Sequence, residues 1–379
     1  MSLKKFTPNK IPISLYIHLP WCEKKCPYCD FNISINRSQG DEYRLMNAIF
    51  YDLKLSRKYI NKRKFSSIYF GGGTPSLVSS RIIDSIINKL REMQVVQKDC
   101  EINFELNPKE VTKDYLTKII DSGINRVSLG IQSFDQSTLN SLERNHTSQD
   151  SLQALEVLSG FKDIETSIDL IYGIMDQSLP SFRSDIETFC LYKINHLSLY
   201  QLTIEPNTIF YKKELKIPND AIIESMESMA AEILNKNNIY QYEVSSWSRD
   251  NRYSKHNMNY WMYGDYLGVG PGAHSKITTE ESIERMVKLK KVNSYIEDPN
   301  KSSTTKIDSC SYDLDLAMNL LRIKNGVSFD ELKNRNIHIT NSFKEKILQG
   351  IDRGLLEKNT LKATPKGYKF LNDTVNIFS

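Results

Sequence analysis

The sequence predicts an α/β protein assembled from repeated βα units. Two observations predict it. Short apolar runs alternate with longer stretches of helical spacing as far as residue 204, and the polar and glycine-rich motifs fall just past the ends of those apolar runs. Parallel strands need crossover helices, which produce this alternation. Parallel barrels and open doubly wound sheets both gather their sites at strand C-termini, so periodicity alone does not choose between them.

Each element can be justified in turn. Ile13 to His18 reads as a first strand leading into a cysteine-rich loop. Tyr43, Met46, Phe50, Leu53 and Leu55 give helical spacing from Asp41 to Tyr59. Phe65 to Phe70 is a second strand ending in Gly71-Gly72-Gly73-Thr74-Pro75, and Ser79 to Met93 is helical. Glu101 to Leu106 is a third strand, followed by a helix from about Thr112. Asn125 to Ile131 is a fourth, followed by helices near Asp135–Glu143 and Ser148–Leu158. Thr166 to Tyr172 is a fifth, with a helix near Leu179–Cys190, and His196 to Thr203 is a sixth. These units make a first domain over residues 1–205.

Beyond it the pattern changes. Residues 206–280 read as an extension, with a helix over about Ala221 to Asn235 and aromatic-rich strands at Tyr240–Trp247 and Tyr266–Gly270. Residues 281–307 are charged and polar and read as a linker or surface connection. Residues 308–379 read as a small helical domain whose end, Leu355 to Phe370, has the strand–turn–helix pattern of a winged helix.

Composition narrows the function classes. Of 379 residues, 40% are hydrophobic and 25% charged, as in ordinary globular proteins. A net charge of +4 is too mild to argue for nucleic acid or an anionic membrane. No apolar run is long enough to span a bilayer. The lysines and broken apolar stretch before Pro20 do not make a signal h-region, and Pro20 and Trp21 replace the small residues a lipoprotein cleavage site needs before Cys22. Cytoplasmic placement is expected. Three of the six cysteines, Cys100, Cys190 and Cys310, are scattered and read as small buried hydrophobes.

The other three, Cys22, Cys26 and Cys29, form C-x3-C-x2-C in Leu19-Pro-Trp-Cys-Glu-Lys-Lys-Cys-Pro-Tyr-Cys-Asp-Phe31. Clustered thiolates select zinc, copper(I) or iron–sulfur clusters. Three ligands on a four-iron cluster leave one iron open to a small molecule with amine, carboxylate and sulfonium groups. This spacing after a first strand resembles the radical S-adenosylmethionine superfamily, and Tyr28 before the third cysteine strengthens the match. The alternative is zinc held by three cysteines and His18.

Other segments weigh against zinc. The glycines at 71–73 expose backbone carbonyls that can accept from an ammonium, and no Gly-Lys-Ser/Thr follows to make a phosphate loop. Glu105, Gln132 and Asp169 close the third, fourth and fifth strands, and Arg144 follows in Leu142-Glu-Arg-Asn-His146. A carboxylate can grip ribose hydroxyls, an amide a sugar or purine, and a guanidinium a carboxylate. Each alone also reads as a cap or ion-pair partner.

Tyr16-Ile-His-Leu-Pro-Trp-Cys22, Gly71–Ser76, Gly130-Ile-Gln-Ser-Phe134, Asp169-Leu-Ile-Tyr-Gly173 and Tyr200-Gln-Leu-Thr-Ile-Glu-Pro206 together resemble the family of oxygen-independent coproporphyrinogen oxidase and its relatives. The resemblance implies a partial (β/α)6 radical-SAM barrel, to which the residue pattern adds the mixed α/β extension and the winged-helix-like C-terminal domain. It implies a 4Fe–4S cluster on Cys22, Cys26 and Cys29. It also implies S-adenosylmethionine contacts at Tyr16, Gly72, Gly73, Thr74, Glu105, Gln132, Arg144 and Asp169.

Two features select a branch within that family. The decarboxylating oxidases carry a further cysteine two residues beyond the third ligand, where this chain has Phe31. His256-Asn-Met-Asn-Tyr-Trp261 matches the His-Asn-x-x-Tyr-Trp signature of heme chaperones of the HemW type, and Gly264-Asp-Tyr-Leu-Gly268 and Gly272-Ala-His-Ser275 are similar to that branch. Two departures stand out: Ile174-Met-Asp-Gln177, where relatives have Leu-Pro-Gly-Gln, and Glu143, where they favour Gly.

The branch implies heme binding. Imidazole is a common axial ligand of heme iron, Tyr260 and Trp261 offer flat faces to a porphyrin, and His256 and Tyr260 at i, i+4 share a helix face. The same residues also read as a histidine bonded inside an aromatic cluster, and His274 is a weaker candidate ligand, better placed for structure. The expected function is a chaperone that binds heme and passes it to an acceptor protein, with an electron donor, no catalytic residue assigned, no nucleic acid, no membrane span and at most transient contact with a membrane protein. The alternative is oxidative decarboxylation of coproporphyrinogen III; a third reading is radical cleavage of heme. Duplex binding through Lys366 and Lys369 of the winged-helix-like domain is the binding-module alternative.

Overall fold

A computed structural model describes residues 6–308 and 310–379. Six βα units open the chain. They comprise β1 (Ile13–Leu19), α1 (Asp41–Leu55), α2 (Arg57–Ile60), β2 (Phe65–Gly72), α3 (Ser80–Glu92), β3 (Val96–Leu106) and α4 (Lys113–Ser122). They continue with β4 (Arg126–Gln132), α5 (Gln136–Ser141), α6 (Ser148–Ser159), β5 (Glu165–Tyr172), α7 (Leu179–Leu191) and β6 (His196–Gln201). The extension holds α8 (Ile209–Lys212), α9 (Asp220–Lys236), β7 (Tyr240–Glu243), β8 (Ser246–Ser248), α10 (Lys255–Trp261), β9 (Asp265–Val269) and β10 (His274–Thr278). Next come β11 (Ile283–Lys288), α11 (Val292–Glu297) and β12 (Ser302–Lys306), then the helical unit of α12 (Tyr312–Leu320), α13 (Phe329–Asn334), α14 (Asn341–Asp352), α15 (Pro365–Lys369) and α16 (Leu371–Asn376).

All twelve described strands join one sheet in the order β12-β11-β10-β9-β1-β2-β3-β4-β5-β6-β8-β7. Strands β1 to β6 are parallel and sequential, and β1 and β6 do not pair, so they form a partial barrel. The outward face of each strand is apolar: Leu15, Ile17, Ile68, Phe70, Phe104, Val127, Leu129, Ile168 and Leu170 pack in one core with Ile83 and Ile86 of α3 and Phe182, Ile186 and Phe189 of α7. Period-two alternation sends the intervening residues into the lumen. Those residues are polar and bond across neighbouring strands: Ser67 to Ser14 at 2.8 Å, Ser128 to Asp169 at 3.0 Å, and Ser167 to His196 at 2.6 Å. Side-chain caps at Thr112, Thr147 and Ser178 start α4, α6 and α7.

The structure corrects the reading of the extension. Tyr240–Trp247 is a hairpin, not one strand, because the chain turns between β7 and β8. Residues 281–307 are no linker: β11 and β12 pair antiparallel and extend the sheet. The β9 strand is a seventh parallel strand, aligned with β1 from Ile13↔Asp265 to Ile17↔Val269. Helix α1 ends at Leu55 rather than Tyr59, and β3 begins at Val96, five residues before the expected start.

Both sequence departures place a side chain on left-handed backbone. Glu143 has φ +50° and Asp176, in Ile174-Met-Asp-Gln177, has φ +59°. Both lie in the left-handed region that glycine occupies without steric cost. Glu143 is compensated by ion pairs to Lys24 and Lys213, each at 3.3 Å.

A cavity at the barrel mouth and a helix in its floor

The C-terminal ends of β1 to β6 surround a cavity of about 410 Å³. Cys22, Cys26, Cys29, Gly72, Gly73, Thr74, Glu105, Gln132, Arg144 and Asp169 all line it, so the cluster and cofactor residues expected from separate segments converge. Tyr16 stands just below, its ring 6.1 Å from that of Tyr69.

The cysteine loop is fixed on several sides. The Ser34 N–H donates to the Pro20 carbonyl at 2.8 Å, the Cys22 N–H to the Ser34 carbonyl at 3.1 Å, and the Thr74 N–H to the Trp21 carbonyl at 2.7 Å. Lys109 pairs with Glu23 at 2.7 Å. Gly73 is required here, because a Cβ would come within 2.5 Å of the Trp21 carbonyl oxygen. Donors address the sulfurs: Thr74 Oγ1 lies 3.4 Å from Cys22 Sγ and Arg144 Nη1 3.4 Å from Cys26 Sγ. Burial pushes the Cys22 thiol up to about 11 and raises that of Cys29, so positive charge from iron is what would ionise them.

His18 is committed elsewhere. Its Nε2 donates to the Asn32 carbonyl at 2.7 Å, and its Nδ1 accepts from the Tyr16 hydroxyl at 3.0 Å. Both ring nitrogens are engaged, which disfavours the zinc reading. Among the described residues no group of three or more His, Cys, Asp and Glu is placed to hold a single metal ion. Three thiols, two sulfur-directed donors and a glycine-walled recess fit an iron–sulfur cluster with a small-molecule ligand.

The cavity wall is electrostatically biased. Burial, aided by the nearby Asp169 charge, raises the Glu105 carboxyl to about 7, against the bonds it accepts from the Tyr69 hydroxyl at 2.8 Å and the Gly72 N–H at 3.3 Å. Burial raises Asp169 to about 6, against the hydroxyls it accepts from, including that of Ser128. Two such carboxyls favour a ligand bearing hydroxyls and positive charge. Gln132 has φ +69°, a strained conformation at a strand end. Arg144 Nε is buried without a partner among the described residues.

The His-Asn-x-x-Tyr-Trp segment lies elsewhere, on α10 beneath the lumen. His256 is 3% exposed. Its Nδ1 is 3.0 Å from Ser67 Oγ, and its ring packs 4.9 Å from Tyr69 and 5.2 Å from Tyr260. The backbone N–H groups of Lys255 and His256 donate to Glu101 at 3.1 Å, so a lumen carboxylate caps the start of the helix. His256 and Tyr260 do share a face. Trp261 lies on the other side, in the cluster of the C-terminal unit, with the Arg322 guanidinium 4.2 Å over its ring. Of the two readings open for His256, the observed geometry is that of a histidine bonded inside an aromatic cluster, at the joint between barrel and C-terminal unit.

Tyr69 was not singled out in the sequence, although it connects Glu105 above with His256 below. Period-two spacing from Gly71 was the available signal. Tyr200, quoted in the sequence only as the start of a family segment, also lines the cavity.

The scaffold belongs to the radical SAM class: the model of the Radical SAM superfamily matches residues 16–186. The structure resembles that of coproporphyrinogen III oxidase (HemN) from Escherichia coli with a TM-score of 0.81 at 20% identity, covering 97% of this chain and 90% of that one, a likeness of fold. Heme chaperone HemW of Buchnera aphidicola from Acyrthosiphon pisum is 36% identical over 97% of this chain and 98% of its own length. Heme chaperone HemW of Escherichia coli is 31% identical over 97% and 98%. The chain therefore belongs to the HemW family within that superfamily.

Proposed function

We propose that this protein is a heme chaperone: it binds heme and passes it to an acceptor protein, on a scaffold that carries a 4Fe–4S cluster and S-adenosylmethionine. The observation that carries this reading is the match of 31–36% identity to heme chaperones over nearly the whole length of both chains. Phe31 supports it against the decarboxylase alternative, because a phenylalanine two residues past Cys29 is exposed where the oxidases carry a cysteine.

Cys22, Cys26 and Cys29 would hold the cluster, and Thr74 and Arg144 would donate toward its sulfurs. When bound, such a cluster would supply one-electron reducing chemistry toward a sulfonium cofactor. The 71–73 carbonyls would receive the cofactor's ammonium, Arg144 its carboxylate, and Asp169 and Gln132 its ribose and base. Glu105, held by Tyr69 and Gly72, sets the charge of the wall between them. His256, backed by Tyr260, would act from the floor to keep Tyr69 in place, and Trp261 would fasten the far side of the helix to the C-terminal unit. No described helix is long and apolar enough to cross a membrane. Cytoplasmic placement, an acceptor protein and an electron donor complete the reading.

The test is anaerobic cluster reconstitution, then heme titration and a cofactor-cleavage assay on one sample, with coproporphyrinogen III supplied in parallel. Stoichiometric heme binding without vinyl products is expected. Vinyl products would replace this reading with the oxidase.

A further inference from the structure

A carrier must load and release its cargo, so its iron ligand has to reach solvent without opening the core. The following inference rests on the heme-chaperone reading. Of six histidines in the chain, His18, His146, His196 and His256 are buried, and His338 is half-buried and engaged with a partner. His274 alone is exposed, at the first position of β10. No hydrogen bond involves its imidazole among the described residues.

The surroundings of His274 suit a flat, dianionic ligand. It lies opposite Val287 of β11, and its backbone packs against Gly268 of the adjacent β9, where a Cβ would come within 2.2 Å of the His274 carbonyl oxygen. Asn32 binds the cysteine loop to this edge: its Nδ2 donates to the carbonyls of Pro271 and Lys290, both at 2.9 Å. The neighbouring Phe31 is 61% exposed, a large apolar ring held in water on a rigid loop. Lys290 is exposed and has no ion-pair partner among the described residues, whereas Arg285 is committed to Asp315.

We propose that heme docks on this rim, with His274 as its iron ligand, Phe31 against the porphyrin and Lys290 paired with a propionate. Burial and the charges of Lys290 and Arg285 lower the His274 pKa, which favours the neutral imidazole that ligates iron. Phe31 is two residues from Cys29, so the porphyrin would lie beside the cluster loop. An open rim releases heme readily, whereas withdrawing His256 would break the bonds to Ser67 and Glu101 that close the barrel floor.

The experiment is titration of the anaerobically reconstituted full chain with ferric heme, followed by Soret absorbance and electron paramagnetic resonance. His274→Ala should weaken binding about tenfold or more, the equivalent of ~1.4 kcal/mol or above, and shift the Soret band, with the circular dichroism spectrum and iron content of the wild type. Lys290→Glu should weaken it several-fold with an unchanged Soret band. His256→Gln, although it disturbs the floor under Tyr69, should keep the wild-type Soret band for the heme it binds. If the wild type binds heme but His274→Ala keeps both affinity and spectrum, or if His256→Gln alone loses the ligand signature, the His274 site is overturned and the chaperone reading stands. If the wild type itself binds no heme, the chaperone reading falls.

Discussion

The ring of Tyr69 lies 4.9 Å from the imidazole of His256, and its hydroxyl donates to Glu105 at 2.8 Å. One side chain thus joins the cavity wall to the helix that closes the barrel floor. Below that helix, Trp261, Met258 and Met262 belong to the core of the C-terminal unit, and Arg335 reaches Asn259 at 3.2 Å. The six-residue motif therefore has a mechanical role whatever else it does: one face fills the lumen and the other fastens a second core.

His256→Ala should accordingly destabilise the fold. It removes a buried ring from an aromatic cluster and leaves the Ser67 hydroxyl short of a partner, a combined cost of about 2–4 kcal/mol. Cofactor affinity should fall too, because Tyr69 loses the surface that fixes its ring under Glu105. Denaturant unfolding measures the first effect and isothermal titration with S-adenosylmethionine the second. A stability change below about 0.5 kcal/mol, the size of an ordinary surface substitution, would remove His256 from the floor.

Acid stability follows from two opposed sets of buried groups. Burial lowers His256 to about 3 and His146 to about 4, and drives His196 well down. These histidines are neutral when folded, and the unfolded chain takes up protons below about 6.5, so each costs stability as pH falls from there to its folded value. Burial raises Glu105 and Glu110 to about 7 and Asp169 and Asp185 to about 6. Those carboxyls bind protons more tightly when folded, so they add stability as pH falls through the same range, until the unfolded chain is protonated near 4. The sets offset each other between about pH 6.5 and 4.5. Below about 4 the histidines still titrate, together with carboxyls that their partners hold below the usual range, such as Glu23, beside Lys109, and Asp150, bonded to Thr147, and both sets cost stability as pH falls. Unfolding free energies measured across pH should therefore hold a plateau and drop steeply below about pH 4; a steep loss starting at pH 6 would contradict this account.

The six βα units were legible in the sequence because short apolar runs alternate with helical spacing, whereas the barrel was legible only through the family resemblance, since that alternation fits an open sheet equally well. What was missed has a physical cause in each case. The β12 strand is Ser-Ser-Thr-Thr-Lys at the sheet edge and mostly exposed, so it carries no apolar signal. The start of β3 is hidden by Gln97, Lys98 and Asp99, which stand at or near the surface. The cysteine and glycine motifs were readable because their chemistry is local. The surroundings of His256 were not, because helical spacing shows that His256 and Tyr260 share a face but not whether that face meets solvent or a barrel lumen. The same limit made His274 look structural.

Gly73→Ala tests the recess beside the cluster loop. The added Cβ would lie 2.5 Å from the Trp21 carbonyl oxygen and 2.6 Å from that of Pro20, and backbone cannot retreat as a side chain can. The Trp21 carbonyl is the one that receives the Thr74 N–H, so the clash displaces Cys22 and Thr74 together. Iron analysis after reconstitution should show most of the cluster lost, and single Ala substitutions at Cys22, Cys26 and Cys29 should do the same. Wild-type iron content in Gly73→Ala would show that the loop can shift without harm.

Arg144→Lys separates charge from geometry. The guanidinium reaches Cys26 Sγ at 3.4 Å, Tyr28 Oη at 3.3 Å and the Gly130 carbonyl at 3.3 Å, and its buried Nε stays free for a ligand acceptor. Lysine keeps the positive charge but is a single point donor on a flexible stem, so it cannot hold the sulfur and the carbonyl while presenting another N–H. Because the three cysteines are untouched, iron content should match the wild type. S-adenosylmethionine binding should weaken about tenfold, roughly the loss of one hydrogen bond to a charged group, and the resonance of the reduced cluster should change less on adding the cofactor. Affinity within twofold of the wild type would show that charge alone suffices, and that Arg144 serves the cysteine loop rather than the cofactor.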